Sequence, residues 1–270
     1  MTSIDAFAGQ RIRLRKFFVE GIGKLLVLAA LVLIVWSITS TLIERPERFL
    51  PSPGSTVETS VDLIYKGALP AFFADTLTRL VLGGLIGIAI GIPVGLLLGL
   101  NRTVSDMFYP FMNFFQSVSG IAILPIVVIW FGNSDLTVLI VILYTSFFPI
   151  AFNVLSGVRS VPYRYVQAVR TLGASRLQVV RDVLLPGAMP SIAIGSRLSI
   201  GFAWRAVIAG EMLAGRPGLG SMIFAGQQLD NTAQIILGMV MIGFTWIVLD
   251  HFLLRPLEAD TIERWGLVQR

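Results

Sequence analysis

Residues 156–190 read SGVRSVPYRYVQAVRTLGASRLQVVRDVLLPGAMP, a basic interruption in a chain that is otherwise apolar. The stretch holds Arg159, Arg164, Arg170, Arg176 and Arg181 and stands between two long apolar runs. Its punctuation predicts a helix, a glycine elbow and a second helix. Pro162 suits a first helical position, and Gly173 suits the left-handed turn just past a helix end. Ser175 can cap the second helix. Pro186 is expected to stop it, because proline lacks an amide proton and clashes one turn back. A membrane protein that holds such a hairpin out into the cytoplasm does so to contact something.

The surroundings of this stretch are membrane helix. With 55% hydrophobic and 14% charged residues and a mean hydropathy of +0.80, the chain lies far from soluble proteins, in which about a quarter of residues are charged. A helix of about 20 apolar residues crosses a bilayer. The sequence predicts about six such spans, near 25–43, 79–100, 109–131, 136–155, 192–213 and 233–254. The third is diluted by Asn113, Gln116, Ser117, Ser119 and Gly120. The expected organisation is a tail at 1–24, one membrane domain at 25–254 that includes the loop 156–191, and a tail at 255–270. The fold class is all-α.

Lysine and arginine collect on the cytoplasmic side. Arg11, Arg13, Arg15 and Lys16 precede the first span, Arg102 follows the second, and Arg255, Arg264 and Arg270 follow the sixth. The 132–135 turn has no basic residue and the 214–232 segment has only Arg216. In 44–78, Arg45, Arg48 and Lys66 are outnumbered by Glu44, Glu47, Glu58, Asp62 and Asp75. Both termini and the arginine loop are therefore expected in the cytoplasm. The net charge of +5 and pI near 10.0 follow from this bias and do not call for nucleic acid. The apolar run from Leu25 to Ile43 is longer than a signal-peptide core, with no small-x-small cleavage site after it. The absence of cysteine excludes disulfides and thiolate metal sites.

The second span carries Gly83, Gly87, Gly91, Gly95 and Gly99, one every four residues, and the fifth has Gly195, Ser199 and Ala203. Such rows let helices cross at close range, as fixed packing or as sliding surfaces. The fifth span also holds Arg197, Arg205 and Glu211. Charges there mark either a substrate path or an internal pair, and both readings stand at this point. Arg205 and Glu211 point to different faces of the helix and are not expected to pair with each other. GRPGLG at 215–220 has no Lys-Ser or Lys-Thr after it and reads as an external turn; no part of the chain fits a Walker A spacing. His251 beside Asp250 has no second histidine with which to hold a metal. No catalytic, metal or cofactor site is expected on this chain.

Within the arginine loop, Gln167-Ala168-Val169, three residues, Gly173, nine residues and Val183-Leu184-Leu185-Pro186 resemble the EAA motif of ABC importer permeases, which also follows a fourth span. Gln167 replaces the usual glutamate and Val169 the second alanine. Leu50-Pro51-Ser52-Pro53, Leu124-Pro125, Trp130-Phe131-Gly132, Phe148-Pro149-Ile150, Gly157-Val158-Arg159 and Leu172-Gly173-Ala174-Ser175 are similar to nitrate/sulfonate/taurine-type permeases. Ser119-Gly120 departs from the Ile-Pro of relatives. The resemblance covers about residues 50 to 266. It implies a type I ABC importer permease fold in the cell inner membrane, with a second, identical permease subunit and a periplasmic or lipid-anchored binding protein. It also implies two cytoplasmic ATPase subunits, which would use the ATP and Mg. The cargo implied is a small anion such as nitrate, sulfonate or taurine. Bicarbonate, a vitamin or a pyrimidine precursor is the alternative, and a non-transporting scaffold is the rival from another class. Arg164, Val166, Gln167, Ala168, Val169, Arg170, Leu172, Gly173, Leu185 and Pro186 would form the coupling loop. Val166, Val169 and Leu172 would make its apolar stripe and Arg164 and Arg170 would flank it.

Overall fold

The computed structural model describes residue 27, residues 30–43 and residues 49–264 of the chain, with side chains to Thr261. The tail expected at 1–24, the first residues of the span expected at 25–43, and residues 265–270 lie outside the described residues. The described elements are helices, in the order α1 (Ala30–Leu42), α2 (Pro53–Tyr65), α3 (Ala68–Leu100), α4 (Arg102–Ser117), α5 (Gly120–Phe131) and α6 (Asp135–Ser160). Then come α7 (Tyr163–Thr171), α8 (Arg176–Val179), α9 (Leu185–Ala214), α10 (Leu219–Gln228), α11 (Thr232–Leu249) and α12 (Arg255–Arg264). Wider π-helical turns, Val180–Leu184 and Asp250–Leu254, fuse α8 to α9 and α11 to α12.

Four continuous helices, Ala68–Leu100, Asp135–Ser160, Arg176–Ala214 and Thr232–Thr261, are long and apolar enough to cross a membrane. They contain the spans expected at 79–100, 136–155, 192–213 and 233–254, and each runs further. The span expected at 109–131 is not a straight rod: α4 and α5 meet at 90°. The physical reason lies in the polar dilution at their junction. Ser119 caps α5 by accepting from the Ile121 amide at 3.3 Å. The Tyr144 hydroxyl donates to the carbonyls of Phe115 and Val118 at the break. Side chains start α2, α4, α6 and α11 in the same way. Ser52, Asn101, Ser134 and Asn231 accept from the amides of Ser55, Val104, Thr137 and Gln234.

Helix α6 is the centre of the fold, packed between α3 and α9. Its Val138, Val141, Ile142, Ile150, Ala151 and Val154 are completely buried. The glycine row of α3 lies directly on it. A methyl group added at Gly83 would meet Ile142, at Gly87 Ser146, at Gly91 Ile150, at Gly95 Ala151 and Val154, and at Gly99 Val158. A spacing of four on one helix thus meets a spacing of about four on the other, as close helix crossing requires. On the opposite side of α6, Gly157 lies against Ser191 and Gly195 against Asn153, with Ser199 and Ala203 of α9 buried. The small residues are close-packed contacts here. Outward-facing residues such as Leu85, Ile129, Trp130 and Phe244 remain exposed, as befits a surface solvated by lipid.

Candidate functional site

The elbow begins where α6 ends at Ser160. Pro162 is the residue before the first turn of α7, one position earlier than expected. Leu172 closes α7, and Gly173 turns with φ +85°, a conformation that L side chains resist. The Gly173 and Ala174 amides bond back to Arg170 and Val169 at 3.0 and 3.1 Å, which satisfies the last carbonyls of α7. Ser175 and Gln178 then form a reciprocal cap: the Gln178 backbone amide donates to the serine Oγ, and the Ser175 backbone amide donates to the Gln178 side-chain Oε1 at 2.7 Å.

Pro186 does not stop the second helix. The chain remains helical from Arg176 to Ala214 because the Val180–Leu184 turn is wound wide, its following amide at Leu185 reaching back five residues to Val180. Placed at the start of α9, Pro186 falls where the missing proton and the ring clash are absorbed by that widening. The second helix of the elbow is thereby continuous with a long core helix.

The expected stripe is split. Val166 is buried against its own chain, Val169 is half-buried and Leu172 is 86% exposed. Three-residue steps fall about 60° short of a full turn each, so three such residues wind off a single face. Arg164, Gln167, Ala168 and Arg170 are exposed, with Arg164 lying 5.1 Å from the Tyr165 ring centre. Leu185 and Pro186 are half-buried. The apolar groups that the elbow presents outward are Leu172, Leu177, Tyr163 and Tyr165. The last three were not singled out from sequence, although each stands beside an arginine. A groove of about 870 Å³ runs between the elbow and the loop end of α3, with Arg170 and Arg176 on its walls.

The charges of the fifth span are separated by the fold. Arg197 bonds Asp250 bidentately at 2.8 and 3.1 Å and Glu258 at 2.7 Å, and so straps α9 to the end of α11 and to α12. The segment after 254 is therefore packed helix through α12 rather than a free tail. Glu211 is fully buried at the other end of α9. It accepts from the Thr76 hydroxyl at 2.9 Å, Arg79 at 2.8 Å and the Gly220 amide at 3.0 Å. Arg79 continues to Asp135 at 2.9 Å and to the Pro217 carbonyl, and Arg216 also bonds Asp135 at 2.8 Å. GRPGLG does hold an anion, then: the chain's own Glu211. Thr76, Arg79 and Asp135 were missed in the sequence, although an arginine at the head of an apolar span is itself a signal. Arg205 has no ion-pair partner among the described residues. It sits 5.6 Å from the Phe202 ring centre on the wall of a cavity of about 410 Å³, at the bend between α4 and α5.

The combination of a helical elbow fused to a central membrane helix with a bent α4–α5 pair invites comparison with known proteins. Residues 87–255 match the model of the binding-protein-dependent transport system inner membrane component. The chain belongs to that family. This permease is 33% identical over 245 residues to the taurine transport system permease protein TauC of Escherichia coli strain K12, covering 89% of each chain. It is 34% identical over 259 residues to the bicarbonate transport system permease protein CmpB of Synechococcus elongatus, covering 91% of this chain and 90% of that one. In fold, it is similar to a chain of the MetNI methionine ABC transporter in an inward-facing conformation. The TM-score is 0.60 at 20% identity, covering 76% of this chain and 98% of that one. The permease is thus a multi-pass membrane component of an ABC importer, a machine that works with ATPase and substrate-binding partners.

Proposed function

We propose that the elbow of residues 156–191 docks on a cytoplasmic ATPase subunit and transmits its closure to the membrane helices through α9. The observation that carries this reading is the unbroken helix from Arg176 to Ala214: a push on Leu177 has no flexible joint in which to dissipate before it reaches the core. In this account two permease copies sit on two ATPases, which bind and hydrolyse ATP with Mg. The permease lies in the cell inner membrane with both termini in the cytoplasm, and a periplasmic or lipid-anchored protein delivers the cargo. The cargo is a small anion of the nitrate, sulfonate or taurine kind, in line with the identity to the taurine permease. A bicarbonate cargo is the second reading, favoured by the identity to the bicarbonate permease.

Gly173→Pro tests the coupling step, because proline cannot adopt φ +85°. Reconstituted with its ATPase and binding protein, this variant should lose most uptake while the membrane core stays folded. Normal uptake, with the ATPase still co-purifying, would refute the docking role.

A further inference from the structure

We infer that Arg205 is the anion-recognising residue of the translocation path, acting in the cavity at the α4–α5 bend; this rests on the importer reading above. Arg205 lies nine residues before Ala214, about 14 Å inside the end of its helix at ~1.5 Å per residue. A guanidinium at that depth cannot be left against lipid without a large cost, so it faces water, a ligand or a partner. Among the described residues its one ring contact is Phe202 at 5.6 Å, and its N–H donors have no hydrogen-bond partner there. The cavity is also lined by Gln116, whose side chain makes no hydrogen bond among the described residues, and by the Ser119 hydroxyl, which accepts from an amide and keeps its own proton to donate. Among the described residues no carboxylate lines the cavity. A space of about 410 Å³ suits a small solute. One cation, neutral donors and no acidic group select a compact oxyanion, such as a sulfonate, carbonate or nitrate group, which a guanidinium can bind with paired charge-assisted hydrogen bonds. The other two charged residues of the helix are consumed by internal carboxylate or arginine partners, so Arg205 is the one left for a ligand.

The test uses the complete transporter, with ATPase and binding protein, in proteoliposomes, with taurine, bicarbonate and nitrate as probes. For whichever probe the unmodified transporter moves, Arg205→Gln should lower uptake efficiency ~10- to 100-fold, as expected for losing a charged hydrogen-bond partner. Arg205→Lys should retain more than Arg205→Gln, and Gln116→Leu should raise the half-saturation concentration several-fold. Uptake by Arg205→Gln within twofold of the unmodified protein would overturn the inference. So would separation of the two permease copies by that substitution, because the arginine would then belong to their interface. An unmodified complex that couples ATP hydrolysis to its binding protein but moves none of the probes would sink the anion assignment alone. One that shows no such coupling would sink the importer reading itself.

Discussion

Replacing Arg79 with methionine isolates the energetic role of the charge cluster that joins α3, α6, α9 and α10. Arg79 is 8% exposed and Glu211 not exposed at all, so the substitution strands a buried carboxylate with only the Thr76 hydroxyl and the Gly220 amide. Breaking a buried pair by removing one partner costs about 3–5 kcal/mol. The contact to Asp135 adds little, because that carboxylate is half exposed and keeps Arg216. At about 2–4 °C per kcal/mol for a chain of this size, the midpoint of thermal unfolding in nanodiscs should fall by roughly 6–20 °C. The double variant Arg79→Met with Glu211→Gln should recover much of this, since a neutral amide can still accept from Thr76 and Gly220 and leaves no unpaired charge. A drop of less than about 2 °C for Arg79→Met, or a double variant whose loss equals the sum of the two singles, would show that the cluster is not a coupled unit.

Two further perturbations act elsewhere. Gly91→Leu places a side chain where the Ile150 side chain and the Phe147 carbonyl already stand. It should force α3 away from α6 and abolish assembly, measured as loss of the monodisperse complex on size-exclusion chromatography; an assembled, active variant would contradict the close crossing. Arg197→Met releases Asp250 and Glu258 and should expose the segment after residue 254 to limited proteolysis at least several-fold faster. An unchanged cleavage rate would show that this strap is not what holds α12.

Much of this architecture was legible because apolar length and small-residue spacing are local properties. The spans at 136–155, 192–213 and 233–254 and the elbow glycine needed no partner to be read. What escaped depends on contacts far apart in sequence. Nothing near Glu211 reveals that Arg79, more than a hundred residues earlier, neutralises it. The bend at Ser117–Ser119 is tied from another helix by Tyr144, which donates to the carbonyls of Phe115 and Val118. Pro186 misled because the usual penalty assumes ideal α-geometry, and the π-helical turn before it relaxes that assumption. Val166 misled because three-residue spacing looks like a stripe on paper and winds off the face in space.

The docking of the elbow is open to one direct measurement. The chain contains no cysteine, so Leu172→Cys, at a position 86% exposed, supplies a single thiol. Paired with single cysteines on the ATPase surface in the assembled, transporting complex, it should form a disulfide whose yield changes as ATP is bound and hydrolysed. No cross-link from this position to any site on the ATPase, in a complex that still transports, would contradict the account.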